Sequence, residues 1–350
     1  MDQALILEKG IFILIIFSIT MLMAMYSTLA ERKVAAWLQD RVGPNRAGKG
    51  GILQPLADGL KLFSKEEFLP DTPNKFLFVV GPAISMSVAL MTSAVIPWGD
   101  RLHIFGRDVI LQATDIDVAL LYVFGVLSVG VYGIMIGGWA SNNKFSLMGA
   151  MRAASQMISY EVAMGLSIIA LLMMSGTLSL REISLQQSGM NWNVFYQPIG
   201  FIIFLVCSFA ETNRTPFDLA ECEAELIGGY HTEYSSMRMG FYLFAEYASM
   251  FISSTILAVL YFGGYNYPGM EWAVDNWGVN PANIIGIFVL FAKLCFFIFF
   301  FMWVRWTIPR FRYDQLMRLG WKILIPLAIA NIFITGIVMV REEIFTALGF

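Results

Sequence analysis

Stretches of about twenty mostly apolar residues recur along this chain, and they constrain its fold more than any other feature. An α-helix needs roughly 20 such residues to cross the hydrocarbon core of a bilayer. Of the 350 residues, 57% are apolar and only 14% are charged. The sequence therefore predicts an all-α polytopic membrane protein, with residues 1–350 in a single membrane domain. The predicted transmembrane helices number eight, at 11–30, 76–97, 117–139, 152–175, 194–210, 240–262, 282–305 and 321–340.

The positive charges of the predicted loops fall mainly on one side of the membrane. The loops after the odd-numbered helices, with the basic residues at their edges, hold 17 of the 23 lysines and arginines. By the positive-inside rule these loops face the cytoplasm or matrix, and both termini face the opposite side. We call the side of these loops the inner side; the loops are 31–75, 140–151, 211–239 and 306–320.

The first inner loop, residues 31–75, contains a segment with helical periodicity after a glycine-rich turn. Its apolar and charged residues separate onto two faces, Ile52, Leu56, Leu60 and Phe63 against Asp58, Lys61 and Lys65. This predicts an amphipathic helix at the membrane interface. The spacing fits a plain anchor on the bilayer as well as a more specific surface. The last inner loop, RWTIPRFRYDQLMR, is basic and aromatic, which suits anionic head groups or a docking surface.

The inner loop 211–239 is the most acidic part of the chain. Its stretch from Glu211 to Glu233 holds six carboxylates and one arginine, Arg214. Thr215-Pro216 predicts the start of a short helix and Gly228-Gly229 its end. In that helix Asp218, Glu221 and Glu225 share one face, and Glu223 lies elsewhere. A solvated charge run is the alternative, but interleaved apolar residues indicate partial burial.

Few ionisable residues lie within the predicted spans. One such group at the bilayer centre costs about 2.5–3.5 kcal/mol on insertion scales, so its presence indicates function by default. A structural salt bridge between Lys293 and one glutamate is the alternative. Buried glutamates with too little counter-charge can exchange protons near neutral pH, which predicts a proton relay. The residues are Glu161, Glu246 and Lys293 within spans and Glu211 at the end of one.

Three cysteines and two histidines are scattered along the chain without metal-ligand spacing. This predicts that the chain alone binds no zinc, haem or iron–sulfur cluster. Any redox centre is therefore expected on another protein.

Several long motifs resemble one family, the H subunits of bacterial NADH:quinone oxidoreductase, respiratory complex I. The mitochondrial counterpart is NADH dehydrogenase subunit 1. The motifs extend from residue 31 to residue 317, so the resemblance covers nearly the whole chain. They are ERK, DRVGPN, GILQPLADGLK, PFDLAECEAELIGG and PRFRYDQLM.

The resemblance implies a membrane subunit of a proton-translocating translocase that forms part of the quinone cavity. The first helix, the amphipathic helix and the sixth helix are expected to frame the quinone passage. The positions that match its polar and aromatic residues are Glu31, Arg32, Arg41, Asp58, Lys61, Arg214 and Phe217.

The resemblance also implies a carboxylate-lined route from this cavity to the pumping subunits. The matching positions are Glu161, Glu211, Asp218, Glu221, Glu225 and Glu246. Glu223 and Lys293 complete the predicted proton pathway. We expect quinone reduction to change the protonation of these carboxylates.

The expected cofactors, iron–sulfur clusters and FMN, belong to partner subunits, and quinone is the substrate. The expected partners are hydrophilic quinone-site subunits on the inner face, membrane-arm subunits beside the chain, and membrane lipid. The bacterial cell inner membrane is the expected location, with the mitochondrial inner membrane as the alternative. The sequence does not distinguish ubiquinone from menaquinone.

Two other classes stay open at this point. A membrane subunit of a hydrogenase or a ferredoxin-driven complex would share the PFD motif and the carboxylates. An autonomous proton-coupled transporter usually has paired repeats and broken helices in both halves. The sequence shows no internal repeat, which disfavours a transporter.

Overall fold

The computed structural model describes residues 3–70, 74–104, 107–220 and 226–347, and nearly all of its regular structure is helical. We number the helices within the described residues α1 to α13. Short 3₁₀ turns lie at Lys49–Gly51 and Gly229–His231, and a π-helical turn, Leu319–Leu324, joins the last two helices. The helices are α1 Gln3–Leu38, α2 Gln54–Ser64, α3 Lys75–Ser93, α4 Ala119–Ala140, α5 Lys144–Ser175, α6 Leu180–Gln186, α7 Asn193–Tyr196, α8 Pro198–Glu211, α9 Ser236–Tyr261, α10 Met270–Trp277, α11 Val279–Thr307, α12 Tyr313–Arg318 and α13 Ile325–Ala347.

The predicted all-α polytopic fold is confirmed. Among the described residues, seven helical stretches are long and apolar enough to cross a membrane: Glu8–Leu38, Lys75–Ser93, Ala119–Ala140, Lys144–Ser175, Ser236–Tyr261, Val279–Thr307 and Tyr313–Arg341.

The helix predicted at 194–210 is present but shorter. Helix α8 has 14 residues and begins at Pro198, where the missing N–H of proline costs no helical hydrogen bond. At 1.5 Å per residue it is about 21 Å long, less than the hydrocarbon core of about 30 Å. The separate turn α7 precedes it in place of further helix.

The predicted amphipathic helix corresponds to α2. Leu60 and Phe63 are 69% and 71% exposed, so the apolar face is uncovered by the rest of the chain. The hydroxyl of Ser236, at the start of α9, donates to the carbonyl oxygens of Leu62 and Lys65 at 2.9 and 3.0 Å. These bonds tie the end of α2 to α9.

Helix α9 lies at the centre of the bundle. Every residue from Met250 to Tyr261 is buried, and the helix packs against α1, α2, α3, α6, α8 and α11. Its first half supplies Glu246 and Tyr247. The buried second half fixes the position of the helix in the bundle and therefore the positions of these two side chains. Near Tyr242, small residues of α4 allow close approach, and the tyrosine hydroxyl donates to the Gly133 carbonyl at 3.1 Å.

The predicted start of the inner helix at Pro216 is wrong, because residues 212–220 form turns and irregular structure, whereas Leu226, just before the predicted end at Gly228-Gly229, is helical. Gln156 of α5 holds this segment by donating to the carbonyl oxygens of Ala210 and Phe217, both at 2.9 Å. Asn213 adopts a left-handed conformation with φ 49°. Tertiary hydrogen bonds therefore replace the helical ones, and the prediction for Glu221, Glu223 and Glu225 lies outside the described residues.

The opposite side of the bundle carries a small β-hairpin. Strands β1 Arg101–Ile104 and β2 Arg107–Ile110 pair antiparallel, with Arg101 opposite Ile110. Asn280, in the first turn of α11, accepts from the His103 amide at 2.7 Å and donates to the His103 carbonyl at 2.8 Å. This pair of bonds fastens the hairpin to α11.

Candidate functional site

Arg214 lies at the centre of a buried group of charges between several helices. Its Nη1 donates to Glu31 Oε2 of α1 at 2.7 Å, and its Nε lies 2.8 Å from Glu246 Oε1 of α9. Arg305 of α11 pairs with the other oxygen of Glu31. We call Glu31, Arg214, Glu246 and Arg305 the buried charge cluster. It joins α1, α9, α11 and the loop after α8.

The electrostatics of this cluster keep Arg214 charged. Burial opposes its charge, but Glu246 and Glu31 outweigh that effect and raise the pKa of Arg214 above its ordinary value. Removing one partner of such a buried pair leaves an uncompensated charge, which typically costs about 3–5 kcal/mol. The cluster therefore depends on all of its members.

An apolar cavity with a few charged groups lies on one side of the cluster, between α1, α2 and α9. We call it the first cavity; its empty space, part of which is open to the surroundings, is about 820 Å³. Arg32 Nη1 contacts Asp58 Oδ2 at 2.6 Å, and Gln54 donates to the other Asp58 oxygen at 3.1 Å. The lining residues are Met25, Thr28, Arg32, Pro55, Asp58, Gly59, Lys61, Leu62, Gly240, Leu243, Phe244 and Tyr247.

A second cavity lies on the other side of α9, and its empty space, part of which is open to the surroundings, is about 550 Å³. Two of the predicted pathway carboxylates, Glu211 and Glu246, line it together. Tyrosine, serine, threonine and asparagine residues also line it. The lining residues are Ser85, Val88, Leu127, Gly130, Ile134, Met157, Glu211, Thr212, Asn213, Tyr230, Tyr242, Ala245, Glu246 and Ser249.

Glu161 extends the set of carboxylates beyond the second cavity. It lies near enough to Glu211 for their charges to interact. The Ser128 hydroxyl of α4 donates to Glu161, and the neighbouring Leu127 lines the second cavity. The series Glu246, Glu211 and Glu161 thus runs from α9 through the end of α8 to α5.

Asp218 is buried in the turn after Pro216 and pairs with Arg310, whose Nη2 donates to Asp218 Oδ2 at 2.8 Å. Burial raises the pKa of Asp218 above its ordinary value, although the neighbouring Arg310 opposes the shift. Phe217 packs edge-on against Tyr160, with ring centroids 5.2 Å apart. Asp218 therefore joins the loops at the inner ends of the bundle.

Arg41 and Lys293 belong neither to the two cavities nor to the buried charge cluster. Arg41 is exposed, and its Nε donates to Gln39 Oε1 at 2.7 Å. Lys293 Nζ donates to three backbone carbonyl oxygens, those of Phe262, Gly264 and Asn266, at 2.6, 2.8 and 2.6 Å. Within the described residues Lys293 forms no ion pair with a carboxylate, so this geometry favours a loop anchor over a relay. Phe217, too, lines neither cavity.

The sequence reasoning missed several residues of the site. It placed Arg305 and Arg310 only in a basic patch, but they pair with Glu31 and Asp218. It also missed Tyr247, because an aromatic residue in an apolar helix is ordinarily core. The available signal was that Tyr247 directly follows Glu246. Consecutive helical residues project in different directions, so Tyr247 could line a different surface from Glu246.

The fold and the two cavities define a polytopic membrane protein with buried carboxylates that are partly neutralised by arginine. Such an arrangement can bind an amphipathic molecule and exchange protons beside it. Among the described residues, no three His, Cys, Asp or Glu side chains are grouped as a metal site.

The chain belongs to the NADH dehydrogenase family, whose profile matches residues 11–336. It is 80% identical over 350 residues to the NADH-quinone oxidoreductase H subunit of Flavobacterium johnsoniae, and the match covers 100% of both chains. It is 82% identical to the protein of that name from Flavobacterium psychrophilum, over 96% of this chain and 98% of the relative. With the first of the H subunits of Cytophaga hutchinsonii it shares 64% identity, over 95% of this chain and 96% of the relative.

Proposed function

We propose that this chain is the membrane subunit of a proton-translocating NADH:quinone oxidoreductase in which quinone occupies the first cavity. The observation that carries the proposal is the meeting of Arg32, Asp58 and Lys61 on one cavity wall. They come from α1 and α2, which are separate in the sequence, and the rest of the wall is mostly apolar. The family resemblance independently assigns these three positions to the quinone passage.

The chemistry of a quinone suits this cavity. A long apolar tail can lie along methionine, leucine and phenylalanine side chains, while the two ring oxygens need hydrogen-bond donors. Arg32 and Lys61 supply donors, and Asp58 orients Arg32 through the 2.6 Å contact. A few placed polar groups in an apolar cleft are typical of small-molecule sites.

The buried charge cluster provides coupling between the two cavities. Arg214 contacts Glu246, and Glu246 lines the second cavity with Glu211. A change of charge or proton demand at the quinone alters the electrostatic energy of Arg214 and thereby the proton affinity of Glu246. Protons then redistribute among Glu246, Glu211 and Glu161, and Asp218 responds through the loop it shares with Arg214.

In this proposal the electrons come from outside the chain. Iron–sulfur clusters and FMN on partner subunits carry them to the quinone, and hydrophilic subunits close the site from the inner face. Membrane-arm subunits lie beside the chain and receive the protonation change. The assembly lies in the bacterial cell inner membrane. An autonomous transporter, by contrast, would move its substrate as the isolated chain in liposomes.

Substitution of Lys61 tests the quinone assignment. Lys65 lies one turn further along the chain, outside the lining of the first cavity, and gives a matched control. In the purified complex, Lys61→Met is expected to raise the KM for quinone at least fivefold, whereas Lys65→Met leaves it unchanged. Equal values for the two variants would exclude a quinone head group beside Lys61.

A further inference from the structure

Two consecutive residues of α9, Glu246 and Tyr247, face different cavities. Tyr247 lines the first cavity and Glu246 lines the second. Among the described residues the two cavities share no lining residue. Arg214 touches both side chains, with its Nε 2.8 Å from Glu246 and its guanidinium carbon 4.2 Å from the centre of the Tyr247 ring. At this point three side chains, Tyr247, Arg214 and Glu246, separate the two cavities.

The contact between Tyr247 and Arg214 is a cation–π contact in a desolvated position. Such contacts contribute about 2 kcal/mol or more when water is excluded. The ring covers one face of the guanidinium, while the Tyr247 hydroxyl lies within hydrogen-bonding reach of Glu31. Tyr247 thus touches two members of the buried charge cluster and the first cavity at once.

One guanidinium nitrogen of Arg214 shows why the ring matters. Nη2 is buried and has no hydrogen-bond partner among the described residues. A buried donor without an acceptor costs about 1–3 kcal/mol, so the guanidinium would gain free energy by turning this group toward water or a ligand oxygen. The Tyr247 ring lies against this guanidinium and lines the first cavity, whereas Arg214 does not line it.

We propose that Tyr247 is a positioning residue that closes the first cavity against the second and holds Arg214 on Glu246. This inference rests on the proposed function, because it assumes quinone in the first cavity and proton exchange in the second. With the ring in place, water does not connect the two cavities, and Arg214 links a charge in the first cavity to Glu246 through their 2.8 Å contact. Without it, water connects the cavities and Arg214 turns away from Glu246, so quinone reduction proceeds without the full transfer of protons.

The test compares variants of the assembled complex, reconstituted in liposomes, by the number of protons translocated per NADH oxidised. Phe244 is the matched control, since it is an aromatic residue of α9 that also lines the first cavity. Its side chain carries no hydroxyl with which to bond the buried charge cluster. Tyr247→Leu and Tyr247→Met remove the ring, and Tyr247→Phe keeps it. Counting protons per NADH makes the result independent of any fall in rate.

We expect Tyr247→Leu and Tyr247→Met to translocate less than half as many protons per NADH as the wild type. Tyr247→Phe should retain most of the ratio, and Phe244→Leu should raise the KM for quinone with the ratio unchanged. The proposal is overturned if an assembled Leu or Met variant keeps the wild-type ratio, or if Phe244→Leu lowers the ratio equally. Failure of both ring-removing variants to assemble, while Tyr247→Phe assembles, would also overturn it, because the ring would then be required for the fold of the complex and not specifically for proton transfer.

These outcomes differ from those expected if the proposed function fails. If quinone does not occupy the first cavity, Lys61→Met and Phe244→Leu leave the KM for quinone unchanged, whatever Tyr247 does. If only the role of Tyr247 is wrong, these two variants still raise the KM while the Tyr247 variants stay coupled.

Discussion

Gln156 donates a 2.9 Å hydrogen bond to the carbonyl oxygen of Phe217 and so fixes the acidic loop to α5. The same amide nitrogen contacts the Ala210 carbonyl and the Asn213 side chain at 2.9 and 3.2 Å. The side chain is fully enclosed, with 1% of Gln156 exposed. One amide group therefore sets the path of the chain from the end of α8 to Asp218.

Replacing Gln156 by leucine should destabilise this loop strongly. The Phe217 carbonyl would stay buried without its donor, at about 1–3 kcal/mol, whereas the Ala210 carbonyl would lose Gln156 but keep backbone donors such as the Asn213 amide at 3.4 Å. We expect the purified complex to lose several degrees in thermal stability, measured by thermal shift. Gln186→Leu is the control, since it removes a single hydrogen bond at an exposed position. Similar losses for both variants would show that the Gln156 amide contributes no more than an exposed one.

Lys293→Met should destabilise the loop after α9 without reducing the protons translocated per NADH. The change removes all three hydrogen bonds to the carbonyls of Phe262, Gly264 and Asn266. Thermal shift measures the first effect, and proton translocation in liposomes measures the second. A lower proton ratio at unchanged stability would instead assign Lys293 to the proton pathway.

Glu211→Gln should lower the number of protons translocated per NADH. Glutamine keeps the shape of the side chain but removes the group that binds and releases a proton beside Glu246 and Glu161. Glu233 is the matched control, because it belongs to the same acidic stretch but lines neither cavity and accepts a hydrogen bond from Asn143 at 2.6 Å. Equal proton ratios for Glu211→Gln and Glu233→Gln would contradict a route through the second cavity.

The pH dependence of the free energy of unfolding should show the protonation of Asp218, which pairs with Arg310. Burial raises the pKa of Asp218 in the folded protein. The folded state therefore binds this proton more tightly than the unfolded chain. This contribution to stability is fully present below the unfolded pKa, and it is lost as pH rises through the raised folded pKa.

Arg310→Gln removes a charge that opposes the shift, so it should raise the pKa of Asp218 further. The stability difference between Arg310→Gln and the wild type should be small in acid and widen as pH rises, in thermal-shift measurements from about pH 4 to pH 8. In an Asp218→Asn background the effect of Arg310→Gln should lose this pH dependence. A difference that stays constant with pH in both backgrounds would place its origin elsewhere.

Local sequence signals predicted much of this fold, because hydropathy and helical spacing depend on neighbouring residues. The eight apolar stretches and α2 follow from such spacing, and Asp58 and Lys61 fall on one face for the same reason. The turn at residues 212–220 could not be predicted locally. Thr215-Pro216 favours a helix start, but Gln156, distant in sequence, supplies the hydrogen bonds that override it.

The partners of the charged residues were equally inaccessible to local reasoning. Glu31 and Arg305 lie near opposite ends of the chain, and only the packing of α1 against α11 brings them together. Charge alone suggested a glutamate partner for Lys293, whereas the loop after α9 offers it carbonyl oxygens instead. Long charged side chains in a membrane protein can donate hydrogen bonds to backbone carbonyl groups. The sequence does not reveal which carbonyl groups lie within reach.

The buried charge cluster contains two carboxylates and two guanidinium groups, so its formal charges cancel. The electric field of a neutral set of charges falls off faster with distance than that of a single ion. The cluster therefore exerts little electrostatic force on groups beyond its immediate neighbours. One extra unit charge is different. At about 8 Å and an effective dielectric constant of about 20, it acts on another unit charge with about 2 kcal/mol. That energy shifts a protonation equilibrium by more than about tenfold. In the proposed function, a single charge that arrives beside Tyr247 is therefore not opposed by any net charge of the buried charge cluster itself.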